Sequence, residues 1–185
     1  MKRLRENETV RLGVTLMVVG LVAALGLGLT YTVTRKKIAE QDRMAEAEAA
    51  ADALPGVESP SELKEDKSLT TAARKQSPAV QKVFTNPLGR IYVVRTKGYG
   101  GPLTLAVGIG PDGEVKGIAV VESRETVGVG SKALEPGNLE KYEGKKAKDE
   151  LAIGKDVQAI TGATITSKAV AAQVKAALEA DRTTR

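Results

Sequence analysis

The sequence predicts an α+β protein: a single N-terminal transmembrane helix, then a domain built on an antiparallel sheet and closed by a C-terminal helix. Three observations predict it. A run of 22 uncharged residues, Leu12 to Val33, stands near the start. Three β-rich runs between residues 89 and 123 are separated by short turns rich in Gly and Pro. Toward the end, apolar residues recur at helical spacing.

The first element is read as a retained membrane anchor, residues 1–34. At about 1.5 Å per residue its apolar run spans about 33 Å, enough for a hydrocarbon core of about 30 Å. It is too long for the apolar region of a cleaved signal peptide, about 7–15 residues, and basic residues rather than a small-residue cleavage site follow it. Tyr31 stands where an interfacial aromatic is expected. Lys2, Arg3, Arg5 and Arg11 precede the span and Arg35, Lys36, Lys37 and Arg43 follow it, so the charge balance leaves its orientation open. Gly13, Gly20, Gly26 and Gly28 permit close helix packing, but glycine is common in membrane helices generally.

Residues 35–79 are expected to be a helical stalk and linker. Ala, Glu, Gln and Met over 35–53 continue the helix outward, Pro55-Gly56 stops it, and 57–78 read as a partly ordered polar linker. The folded domain is placed at 80–185. Gly89-Arg90 opens the first strand, Gly100-Gly101-Pro102 leads into the second, and Pro111-Asp112-Gly113 turns into the third, with Ile109 and Val115 flanking that hairpin tip. A polar, partly helical stretch follows Arg124, then a short strand Val157–Ile160. The closing helix carries Val170, Val174, Ala177 and Leu178 on one buried stripe, with Thr166 or Ser167 as its N-cap, and ends before Arg182 and a polar tail.

Composition excludes whole classes of chemistry. With no Cys, His or Trp, this chain supplies no disulfide, zinc-thiolate, iron–sulfur or His-dependent nucleophilic site, so no metal and no catalytic residue is assigned. Lys and Arg number 28 against 23 Asp and Glu, a formal charge of +5. Residues 1–43 hold eight of the positive and four of the negative charges, which leaves 20 against 19, a net of +1, for the rest. The basic balance therefore belongs to the anchor, and with 3% aromatic residues a nucleic-acid partner is not expected.

Chemistry concentrates at Thr161-Gly162-Ala163-Thr164-Ile165-Thr166-Ser167, four hydroxyls in seven residues at a helix start. Gly162 and Ala163 add almost no bulk, and unpaired N–H groups at a helix N-terminus suit phosphate. The same string also fits an ordinary hydroxyl-rich cap. Upstream, Glu125-Thr126-Val127-Gly128-Val129-Gly130 reads as a turn needing positive φ or as a ligand loop.

These strings resemble the FMN-binding subunits of two membrane complexes, the G subunit of the Rnf electron-transport complex and the C subunit of the sodium-translocating NADH:quinone reductase. TGATITS is similar to the family's flavinylation motif, the 125–130 segment to its Glu-Thr-Pro-Gly-Leu-Gly, and Gly98-Tyr99-Gly100-Gly101-Pro102 to its Gly-rich segment before a strand. The resemblance implies FMN joined through its phosphate to the Thr164 hydroxyl, with Thr161, Gly162, Ala163, Ile165, Thr166 and Ser167 around it. Glu125 and Thr126 would position the ring, and amides near Gly128 and Gly130 would bond it. Lys132 and Lys168 are candidates to balance phosphate charge.

The compact size looks more like the Rnf protein. The resemblance then implies an electron carrier in a ferredoxin:NAD oxidoreductase complex coupled to Na+ or H+ translocation, one component rather than a complete enzyme. Its implied partners are the other components of that complex and a flavin transferase. Its implied place is the inner membrane, single-pass, with the domain on the extracytoplasmic side. The quinone-reductase homologue, another extracytoplasmic flavin relay or a non-redox binding module is the alternative. Two positions depart from the family pattern: Gln158 stands at the usual Asp, with Asp156 two residues earlier, and Ser123 stands where relatives often have His.

Overall fold

A computed structural model describes residues 8–185, and the chain divides into two units between Arg43 and Met44. Lys2, Arg3 and Arg5 lie outside the described residues. Helix α1 (Glu8–Asp52) carries the apolar run, with Leu16, Leu27 and Val33 among its exposed side chains. It is long and apolar enough to cross a membrane. The hydroxyls of Thr15, Thr30 and Thr32 donate to the carbonyls of Arg11, Gly26 and Leu29 at 2.8–2.9 Å, so these polar groups are satisfied within the helix, as hydrocarbon requires.

The second unit is a five-stranded antiparallel sheet in the order β1-β2-β3-β4-β5. The strands are β1 (Lys64–Glu65), β2 (Val80–Asn86), β3 (Gly89–Lys97), β4 (Pro102–Ile109) and β5 (Val115–Ser123). The α+β class and the three expected strands are observed, and Ile109 pairs with Val115 at the hairpin tip. Alternation along the strands makes two apolar faces. Val83, Tyr92, Val94, Leu103, Leu105 and Val107 face helix α4 (Thr164–Thr184), whose Val170, Val174, Ala177 and Leu178 are all buried there. Burying such side chains contributes about 1.5–3 kcal/mol each.

Phe84, Ile91, Val93 and Ala106 form the other face, covered by Ala49, Ala50, Ala53 and Leu54 at and just beyond the end of α1. Two glycines make room for that cover. Gly108 and Gly117 are cross-strand partners, and a Cβ on either would run against the Ala53 carbonyl. Pro55-Gly56 ends the helical region as expected, with Gly56 at φ +93°.

Three expectations about the chain's elements are corrected. Residues 57–78 are more ordered than the partly ordered linker expected: they hold a 3₁₀ turn (Pro60–Glu62), strand β1 and helix α2 (Lys67–Gln76). Asp66 caps α2 by accepting from the amides of Ser68 and Leu69, each at 2.9 Å, and these bonds hold its carboxyl below the usual value. Val157–Ile160 is not a strand, because Val157 joins Ile153 in a single parallel bridge. The polar stretch after Arg124 is helical in short pieces, a 3₁₀ turn at Gly130–Leu134, helix α3 (Pro136–Leu139) and a 3₁₀ turn at Glu140–Tyr142; Leu139 and Tyr142 are buried, and burial pushes the Tyr142 phenol up to about 12. Helix α4 runs on to Thr184, since buried Asp181 anchors its last turn.

Candidate functional site

The site is assembled at the N-terminus of α4. Ile160 to Ala163 make a turn in which the Ala163 amide donates to the Ile160 carbonyl at 2.9 Å, and Gly162 takes φ +81°, a conformation that favours glycine. The helix then begins at Thr164, with Ala163 as N-cap and no capping side chain. Neither Thr166 nor Ser167 is the cap, contrary to expectation. Both lie inside the first turn because the helix starts earlier than the hydroxyl pattern indicates.

This placement sorts the four hydroxyls. Thr161 and Thr164 are exposed. Ser167 is buried and donates to the Ala163 carbonyl at 3.0 Å. Thr166 is 0% exposed and its Oγ1 has no hydrogen-bond partner among the described residues. A cleft of about 320 Å³ adjoins this turn, lined by Tyr99, Val129, Gly130 and residues 162–166. Of the two exposed hydroxyls, Thr164 lines the cleft and Thr161 does not.

The opposite wall, Tyr99, Val129 and Gly130, is braced from behind by Glu125. Its carboxylate accepts from the backbone amides of Tyr99 at 2.8 Å and Gly100 at 3.1 Å. The space it fills is left by glycines: a Cβ on Gly98 or Gly130 would collide with that carboxylate, and on Gly130 it would also stand 2.9 Å from Thr166 Oγ1. Glu125 therefore ties the 98–101 loop to the 125–130 segment, and Gly130 lets that segment lie against Thr166 in the first turn of α4.

Gly130 is buried in the cleft wall. Thr126 and Gly128 lie in an exposed turn beside it. The Thr126 carbonyl accepts from Val129 and Ser131, and the Gly128 amide donates to Ser131 Oγ at 2.9 Å. Ile165 is 55% exposed on the cleft rim. Lys132 and Lys168 are exposed. Asp156 and Gln158 are exposed too, and Asp156 accepts from the Ala152 amide at 3.3 Å in its own turn. Among the described residues no group of acidic side chains is arranged to hold a metal ion.

Sequence reasoning missed Tyr99 and Val129 as cleft residues. The available signal was an aromatic side chain inside a Gly-rich loop, Gly98 to Gly101, where nothing nearby in sequence could bury it.

Comparison with known proteins agrees with this geometry. A family model described as an FMN-binding domain matches residues 98–179, which brackets both walls of the cleft. The chain is 33% identical to the G subunit of the Na(+)-translocating ferredoxin:NAD(+) oxidoreductase complex of Acetobacterium woodii, over 91% of this chain and 89% of that one. It is 45% identical to the G subunit of the proton-translocating ferredoxin:NAD(+) oxidoreductase complex of Clostridium ljungdahlii, over 48% of this chain and 51% of that one. It is 29% identical to the G subunit of the ion-translocating oxidoreductase complex of Vibrio cholerae, over 90% and 87%.

Proposed function

The chain belongs to the family of G subunits of Rnf-type ion-translocating oxidoreductase complexes and carries its FMN-binding domain, and from that premise we propose that it relays electrons through an FMN held as a phosphoester on Thr164. The observation that carries the proposal is the placement of Thr164: the one exposed hydroxyl of the motif that also lines the cleft, on a helix start with no capping side chain.

The residues present fit a flavin phosphate. Thr164, Ile165 and Thr166 open the helix, and its first-turn amides and positive dipole end favour an anion. Beside them the Thr166 hydroxyl is buried without a partner, a state that costs about 1–3 kcal/mol unless something pairs with it. Gly162 and Ala163 leave the backbone open to approach. Lys132 and Lys168 add positive charge nearby. FMN supplies what no side chain of this chain can, the uptake and release of electrons in one- or two-electron steps. The protein's part is to attach it, shelter it and set its surroundings.

The remaining parts of the reading follow from the family. The apolar part of α1 anchors the chain in the inner membrane beside the other proteins of an Rnf-type complex, with the domain on the extracytoplasmic side. A flavin transferase attaches the cofactor. The coupled ion is Na+ or H+; relatives named for each match this chain, so we assign the choice of ion to other members of the complex.

Co-expression with a flavin transferase tests the attachment. Denaturing electrophoresis under blue light should show a fluorescent band for the native chain and none for Thr164→Ala, and intact mass should show one added FMN. A band persisting in Thr164→Ala overturns the assignment. Reporter fusions at the C-terminus test sidedness, and the proteins that co-purify test the complex.

A further inference from the structure

Four aromatic residues occur in residues 44–185: Phe84, Tyr92, Tyr99 and Tyr142. Phe84, Tyr92 and Tyr142 are buried, at 8%, 0% and 2% exposure. Tyr99 is 60% exposed, and it lines the cleft that holds Thr164. An aromatic ring left in water forgoes the burial that stabilises the other three. Its backbone, by contrast, is tightly held. The Tyr99 and Gly100 amides both donate to Glu125, and the Gly98 amide donates to the Gly101 carbonyl at 2.8 Å. Gly100 is also hemmed in, since a Cβ there would meet the Arg124 carbonyl. A buttressed loop thus presents a solvent-facing phenol ring beside the attachment hydroxyl.

We propose that Tyr99 is the aromatic wall on which the planar ring of the flavin packs, and that Glu125 is the residue that positions it. The inference rests on the reading of Thr164 as the attachment point. A flat, extended π-system gains most from a flat partner, in offset or edge-on contact. The cleft's other wall residues are small or aliphatic: Gly130, Gly162, Ala163, Val129 and Ile165. Tyr99 is therefore the side chain that discriminates a planar ring from an aliphatic group of equal size. Glu125 acts through it: with both carboxylate oxygens on the loop's amides, it fixes where the ring stands without itself lining the cleft. An electron-rich phenol against the flavin also disfavours the reduced, more negative ring and lowers its potential.

A tyrosine in contact with a flavin quenches its fluorescence. On excitation one electron passes from the phenol to the flavin, and its return restores both. The full chain, co-expressed with flavin transferase and purified in detergent, is examined by intact mass, fluorescence lifetime and visible circular dichroism. The native chain should carry FMN and show a short lifetime with an induced dichroic band. Tyr99→Leu should carry the same flavin mass with a several-fold longer lifetime and a lost band. Tyr99→Phe should lengthen the lifetime yet keep the band, since phenylalanine stacks but does not give up an electron. Glu125→Gln should shift emission toward the long lifetime at an unchanged flavin mass, a change that loss of stability alone does not produce. Tyr99→Leu with native lifetime and native dichroism overturns the stacking, and Glu125→Gln with a native lifetime overturns the positioning role. A native chain bearing no flavin on Thr164 defeats the attachment reading itself, and this inference with it.

Discussion

The two ends of helix α4 are finished in opposite ways. At the C-terminal end the buried carboxylate is fully paired. Asp181, 2% exposed, accepts from the Tyr92 hydroxyl at 3.1 Å, from Arg90 at 3.5 Å and from Arg185 at 2.6 Å. Arg185 reaches on to the carbonyls of Gly110, at 2.7 Å, and Pro111. At the N-terminal end there is no side-chain cap, and Thr166 Oγ1 is buried without a partner. One sequence thus completes the hydrogen bonding at one end of the helix and leaves it incomplete at the other. Folded proteins pair nearly all buried polar groups; Thr104 Oγ1 and Gln173 Oε1 are also unpartnered among the described residues, but of the three residues only Thr166 lines the cleft, where the proposed flavin phosphate would pair with it.

The hardest test of this contrast is Asp181→Ala. It removes the buried carboxylate shared by Arg90, Arg185 and the Tyr92 hydroxyl, leaving Arg90 and Tyr92 only their bonds to Thr184, and should cost about 3 kcal/mol of unfolding free energy, read by urea denaturation of the detergent-solubilised chain. Flavin attachment in the folded fraction should stay at the native level, because the opposite end of the helix is untouched. Loss of attachment without loss of stability would erase the distinction between the two ends.

Gly130→Ala attacks the other end. Its Cβ meets Glu125 and Thr166, so either the carboxylate leaves the Tyr99 and Gly100 amides or the helix start shifts. Overpacking of this kind costs about 1–3 kcal/mol. The expected sign is a lower melting temperature together with slower flavin attachment, followed by in-gel fluorescence over time.

Thr166→Val should separate stability from chemistry. Before attachment the change removes an unpaired buried hydroxyl at constant shape, so the unmodified chain should gain about 1 kcal/mol. Flavin transfer to the variant should nevertheless slow, with Thr166→Ser restoring the native rate. A variant that is less stable and transfers flavin normally contradicts the unfinished-end account.

The smallest effect compares two helix starts. Asp66 caps α2, and its carboxyl lies below the ordinary 3.8 because the ionised form accepts the Leu69 and Ser68 bonds. A lowered folded value means the cap's contribution is present above 3.8 and is lost as pH falls through the folded value. Amides at the start of α2 should therefore exchange faster with solvent at low pH, relative to the intrinsic rate. Those at the start of α4, which has no capping carboxylate, should show no such step.

Much of this was legible in the residues. The anchor, three strands, the apolar stripe of α4 and the hydroxyl motif are local signals, carried by periodicity, turn residues and composition. The elements that escaped notice lack such periodicity. Strand β2 shifts register between Val80 and Lys82, which breaks its alternation. Helix α2 is short and buries only Thr70 and Ala73. The alanines at 49–53 read as good helix formers, and only the bare backbone at Gly108 and Gly117 reveals that they cover a sheet face. Arg185 reads as part of a polar tail and Asp181 as an ordinary helix end, since their partners lie in β3 and at the tip between β4 and β5.

By itself the sequence determined the chemistry on offer: an apolar span, a small-residue turn crowded with hydroxyls, and no side chain able to carry electrons. Tertiary structure decided which hydroxyl is reachable, which is buried without a partner, and which distant loop faces them. Periodicity and turn propensity act between near neighbours, whereas exposure and pairing depend on where residues 98–101, 125–130 and 161–166 meet. The carboxylate of Glu125 joins the first two, and Gly98 and Gly130 leave the room in which they meet the third.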